Sequence, residues 1–302
     1  MVSLLRKSLF YISTTSDKKE DIMDKAIKKW FPVLALPTVV AFMISFLVPF
    51  VMGIYLSFCK FKTIKMTTWV GFDNYLKAFA NEDFINALWF TVKFTIISVI
   101  TINILSFVFA MLLTKALRGT NIFRTIFFMP NLIGGIVLGY IWLMIINGFL
   151  YYFKATITTD ATYGFWGLVI LMNWQLIGYM MVIYISGIQN ISPDLIEAAQ
   201  IDGANAAQRL FHITIPQVMP SITICLFLTL TNSFKLFDQN YALTAGAPGK
   251  QTQMLALDIY NTFYGKVGWQ GVGQAKAVIF FIIVAVIALT QLFLTRSKEV
   301  EN

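Results

Sequence analysis

The chain has 302 residues, of which 58% are hydrophobic and only 13% charged, with a formal net charge of +8. Soluble domains run about 45–50% apolar and about 25% charged, so this composition cannot cover a globular surface with polar groups and places the chain in a bilayer. The positive balance matches Lys and Arg gathered on one side of a membrane. With no aromatic-interleaved basic run, nucleic acid is not expected as a partner.

Residues 1–30 form a polar, basic segment with seven Lys and Arg. No small-residue cleavage site follows the first apolar run, so no removable signal peptide is expected. Met23 opens "MDKAIKKWFP", which would itself serve as a start, and residues 1–22 read as a variable extension. Residues 31–294 then carry six apolar segments: Phe31–Phe58, Ala87–Thr114, Ile122–Ile146, Gly164–Ile188, Gln217–Asp238 and Gln274–Leu294. Each is long enough to cross about 30 Å of hydrocarbon as a helix, which predicts an all-α integral membrane bundle of about six spans. With the N-terminus inside, the inner segments hold thirteen Lys and Arg and the outer loops seven. That bias predicts both termini, including the 295–302 tail, in the cytoplasm. Cys59 and Cys225 belong to no CxxC pair or Cys/His cluster, so no metal site is expected.

On this orientation the loop 190–216 is cytoplasmic, and from Glu197 to Pro216 it reads "EAAQIDGANAAQRLFHITIP". Ser192 suits a helix cap, Pro193 the first helical position, and Asp194 and Glu197 the positive helix end. Gly203 allows a sharp bend. A second helix is expected from Ala206 to His212, stopping before Pro216. The product is a helix–turn–helix elbow whose alanines and glycine let another protein approach closely; a plain membrane-surface linker is the other reading of such a loop.

The spacing Glu-Ala-Ala, three residues, Gly, nine residues, Ile-x-x-Pro resembles the "EAA" loop of the permease subunits of binding-protein-dependent ABC importers. Glu197, Ala198, Ala199, Gly203, Ile213 and Pro216 stand at that pattern's positions, and Ile215 replaces the usual leucine. "FDQNYALTAGAPGKQT" (Phe237–Thr252), "VGFDNYLKAF" and "RTIFFMPNLI" are similar to segments of the maltose-type carbohydrate permeases, with Gly246-Ala247-Pro248 where those usually read Gly-Gly-Pro. The resemblance implies a type I ABC importer permease-like bundle with a cytoplasmic coupling helix, in a bacterial cytoplasmic membrane. It implies that Glu197, Ala198, Ala199, Asp202, Gly203, Arg209 and His212 couple to an ATPase, with Glu197 meeting a basic residue. ATP and Mg would sit on that partner, leaving no cofactor on this chain. Two ATPase subunits need one elbow each, so a second homologous permease chain is implied, together with an extracytoplasmic binding protein, a carbohydrate substrate and membrane lipid.

Polar side chains within spans tend to face a bundle interior or a wet cavity. In the fifth segment Thr229, Asn232, Ser233 and Leu236 share a helical face, and Gln239 follows. The resemblance favours Asn232 and Ser233 as sugar contacts, while helix–helix hydrogen bonding suits the same residues. In the fourth segment Asn173 and Gln175 could hydrogen-bond, and Trp174 and Tyr179 could stack on sugar faces or anchor the interface. Lys235 and Asp238, three apart, are expected to pair, and Lys93 and Asn103 to serve packing or snorkelling. "GAPGKQT" imitates a phosphate loop but has Thr244 at the first glycine position and Gln251 at the last hydroxyl position. No carboxylate pair, metal cluster or nucleophile–base set marks a catalytic site. A stand-alone secondary transporter would call for membrane-centre acids and related halves, neither of which stands out, and a permease for a non-sugar solute such as glycerol phosphate is the nearer alternative.

Overall fold

The computed structural model describes residues 27, 30, 31, 33, 35–63, 67–115 and 119–297. The 1–22 extension, all of the basic segment but Ile27 and Trp30, and residues 298–302 of the tail lie outside them. The chain divides into two units, 1–55 and 56–302. The first carries most of α1 (Ala35–Ser57), with a mean hydropathy of 2.4 in its most apolar stretch. Over Met43–Leu47 this helix widens into a π turn, and Pro49 follows two residues later.

In the second unit, Cys59–Phe61 (β1) and Thr67–Trp69 (β2) pair antiparallel, Cys59 opposite Trp69. A short α2 (Asp73–Phe79) leads to α3 (Glu82–Leu113), started by the Asn81 side chain, which accepts from the Phe84 N–H at 3.0 Å. There follow α4 (Thr120–Phe128), a 3-10 turn over Met129–Leu132, α5 (Gly135–Leu150) and α6 (Ala161–Gln189). Asp160 caps α6, and the Thr162 backbone N–H holds its carboxyl below the usual carboxylate value. The remaining helices are α7 (Pro193–Ile201), α8 (Ala206–Gln217), α9 (Met219–Phe234), α10 (Asp238–Leu243), α11 (Leu255–Gly265) and α12 (Gln270–Arg296).

Five of these helices are long and apolar enough to cross a membrane, and α8 with α9, bent by 70°, make a sixth. The bundle expected from composition is therefore present, with three corrections. The apolar run Ile122–Ile146 is two helices: Pro130 opens a tight turn and Ile133 and Gly134 are extended, so the third span begins at Gly135. The stretch between the fifth and sixth apolar segments holds most of α10 and all of α11. Finally, Pro216 does not stop the second elbow helix. The chain widens into a π turn over Leu210–Thr214, where Ile215 N–H reaches back to Leu210 O, and the helix runs on to Gln217. Pro49 follows its π turn at the same offset. A π turn shifts the preceding carbonyls off the four-residue register that a proline ring obstructs and cannot bond.

The core lies around α6, whose most apolar stretch is 72% buried. Gly178 of α6 meets α4 so closely that a Cβ there would overlap the Phe127 carbonyl. Between α3, α6 and α9 runs a buried polar relay: Tyr184 Oη donates to Asn103 Oδ1 (2.7 Å), Asn103 Nδ2 to Thr229 Oγ1 (2.9 Å), and Thr229 Oγ1 to Cys225 O (2.7 Å). Asn103 thus has the packing role expected of it. At the other end of the bundle, Lys276 of α12, fully buried, pairs with Asp258 of α11 at 2.7 Å and donates to Thr262 (2.9 Å) and Asn81 (3.2 Å).

Candidate functional site

The elbow is built by local rules. Ser192 stands at the N-cap of α7, but its side chain makes no cap bond; Pro193 occupies the first turn and Asp194 lies in it. The helix ends in a Schellman motif: Ala204 N–H donates to Ala199 O (2.9 Å) and Gly203 N–H to Gln200 O (3.1 Å), with Gly203 at φ +79°. A left-handed residue there favours glycine. Asn205 and Gln208 then form a reciprocal capping box that starts α8, with bonds of 2.9 and 2.8 Å. The N-x-x-Q spacing carries that signal. Arg209 Nη1 donates to Ala204 O at 2.6 Å and fastens the two helices across the turn, while His212 Nδ1 lies 3.1 Å from Gln208 O.

Glu197, Ala198, Asp202, Gly203 and His212 are exposed, Ala199 and Arg209 half-buried. Ile201, at the tip, is 86% exposed. The result is a stiffened, thin element presenting an apolar residue among small ones, with the exposed carboxylate of Glu197 one turn away.

At the opposite end of α9 lies a cavity of about 590 Å³. Of the residues expected on a substrate path, Tyr179, Asn232 and Gln239 line it. Thr229 and Ser233 do not: both are fully buried, Thr229 in the relay with Asn103 and Ser233 donating to Thr229 O (2.7 Å). The shared face is thus split, because a stripe about 100° wide on α9 meets α3 and α6 on one side and open space on the other. Asn173 donates to Val169 O within its own helix (2.8 Å), and Trp174 packs edge-to-face on Trp142 (5.6 Å).

The cavity also takes Gln175, offered with Asn173 as a hydrogen-bonding group, and Asn131, Thr231, Lys235, Phe237 and Asp238, which the sequence reading did not place on the path. Gln239 Nε2 donates to Gln175 Oε1 at 2.7 Å, and Gln175 Nε2 lies 3.4 Å from Ile133 O. Among the described residues Lys235 and Asp238 form no ion pair with each other. The i,i+3 argument fails because α9 ends at Phe234 and the chain is not helical between them. Beside Met172, Leu176, Leu228 and Leu236, the lining offers amide and hydroxyl groups, two aromatic rings and one charge of each sign, suited to hydrogen-bonding a polyhydroxylated solute of low net charge.

Comparison with known proteins matches this architecture. The profile of the family described as "Binding-protein-dependent transport system inner membrane component" matches residues 117–299. The "Probable starch degradation products transport system permease protein AmyD" of Thermoanaerobacterium thermosulfurigenes is 44% identical over 285 residues, spanning 90% of this chain and 96% of the relative. A solved bacterial ABC transporter involved in the import of the acidic polysaccharide alginate superposes with a TM-score of 0.76 at 21% identity, over 91% of this chain and 98% of the other. A second alginate transporter structure, in complex with alginate pentasaccharide-bound periplasmic protein, gives 0.70 at 22% identity, over 90% and 94%. At those identities the likeness is one of fold. With the profile covering more than half the chain and the bacterial relative matched nearly end to end, the chain belongs to the family of binding-protein-dependent transport system inner membrane components.

Proposed function

We propose that the chain is the membrane subunit of an ATP-driven importer and forms, with a second homologous permease chain, the path for a carbohydrate, in particular an oligosaccharide. The observation that carries the reading is the cavity beside α9, where Asn131, Gln175, Asn232 and Gln239 offer amides next to Tyr179 and Phe237. Amides donate to and accept from hydroxyls without demanding charge, and aromatic faces cover the apolar side of a sugar ring. The relative named for starch degradation products supports the substrate class. ATP and Mg would be bound by two cytoplasmic ATPase subunits docked on the elbows, with both termini on that same side of the cell membrane. An extracytoplasmic binding protein would deliver the sugar to the far side. No bond is made or broken by this subunit; it exposes the cavity alternately to each side.

The test is uptake in vesicles holding the assembled transporter, against a panel of oligosaccharides with glycerol phosphate as the non-sugar control. Asn232→Leu removes one amide from the cavity and is expected to lower uptake at least tenfold while the complex co-purifies normally. Unchanged transport kinetics in that variant, or uptake of glycerol phosphate in place of every sugar, overturns the reading.

A further inference from the structure

A second polar pocket, of about 320 Å³, lies between α3 and the loop joining α10 to α11. Asn86, Trp89 and Lys93 line it from one face of α3, at the three- and four-residue spacing that brings helical side chains together, and Lys250 and Gln251 close it from the loop. Lys250 is held by Asp83 at 2.7 Å, which Lys266 also approaches at 3.7 Å. Lys93 is exposed, and among the described residues it has no hydrogen-bond or ion-pair partner. Two ammonium groups, Lys93 and Lys250, and one carboxylate, Asp83, thus line the pocket, with Lys266 beside that carboxylate, leaving a local excess of positive charge.

The depth of this pocket follows from α3 itself. The helix has 32 residues, about 48 Å, against about 30 Å of hydrocarbon. Residues 94–113, "FTIISVITINILSFVFAMLL", are twenty in a row without a charge, and twenty residues span about 30 Å. They place Lys93 at the boundary between hydrocarbon and headgroups, in the leaflet away from the elbow. Trp89, one turn further out, is 61% exposed, as suits an indole at headgroup level.

We propose that this pocket binds the phosphate of an anionic phospholipid. Lys93 and Lys250 would supply the charge, Asn86 and Gln251 amide donors, and Trp89 the lateral wall. The "GAPGK" turn is then an anion-binding loop of a different kind from a nucleotide loop, facing a lipid rather than ATP.

Native mass spectrometry of the assembled transporter, titrated with phosphatidylglycerol and separately with phosphatidylcholine, tests this. The anionic lipid is expected to bind at least tenfold more tightly. Each of Lys93→Gln and Lys250→Gln should weaken it roughly fivefold, and the double variant roughly 25-fold, with phosphatidylcholine binding unchanged. Inorganic phosphate and glycerol phosphate form the third arm: failure of either to compete at millimolar concentration assigns the site to lipid. Equal binding of the two lipids, a double variant that binds phosphatidylglycerol like the parent, or full competition by free phosphate overturns the proposal. So does loss of the site beneath a neighbouring subunit, which would leave no lipid bound.

Discussion

Lys276 is a charged side chain with no exposed surface, and the structure shows how the cost of burying it is met. Its ammonium makes three side-chain contacts, to Asp258, Thr262 and Asn81, and sits over the Phe84 ring at 5.2 Å. Breaking a buried pair from one side leaves an uncompensated charge, at about 3–5 kcal/mol. Asp258→Asn is therefore expected to lower the melting temperature of the purified transporter sharply, whereas Asp258→Leu with Lys276→Met should recover most of the loss. A double variant no better than the single would show that the pair is not the source of the effect. This site was not legible in the sequence: Asp258 and Lys276 are 18 positions apart on separate helices, and no periodicity links them. Asn232 and Thr229 teach the same lesson. Helical spacing puts them on one stripe, but only the neighbours of α9 decide that Asn232 meets open space while Thr229 meets Asn103.

Among the elements, the elbow was the most readable, because its signals are local. Pro193 and Gly203 each act within a turn or two of chain. What escaped was the Asn205/Gln208 spacing, local though it is, and the π turn before Pro216, since a proline in an apolar run can end a helix, kink it or be absorbed by a widened turn. The tip rests on Gly203, whose φ of +79° suits glycine and tolerates asparagine. Gly203→Trp should strain the turn and thicken its edge, abolishing co-purification with the proposed ATPase partner; Gly203→Asn should keep it. Normal capture and uptake by the tryptophan variant would remove the elbow from the coupling scheme. In the core, α4 and α6 approach at Gly178 with no room for a side chain. Gly178→Val forces backbone apart there, at about 1–3 kcal/mol or more, and should reduce the yield and melting temperature of the assembled protein. An unchanged melt would mean that α4 is free to shift.

At the scale of the whole molecule, the number of spans was legible because composition and length alone decide it. Their exact partition was not, because an apolar run looks alike whether it is one helix or a helix, a tight turn and another helix, as at Pro130 and Gly134. Nor could composition foresee that the region between the fifth and sixth spans would fold into α10 and α11, the first residues of α10 helping to shape the cavity.

The 70° bend at Val218 ties the two functional regions together. From that corner α9 runs 16 residues to Phe234, about 24 Å, with Asn232 near its far end. A rotation of only about 5° at Val218 would swing that end by roughly 2 Å over such a length, comparable to the reach of one hydrogen bond. A small push on one side of the bilayer could therefore part Asn232 from a bound hydroxyl on the other without unwinding any helix: the corner trades angle for distance.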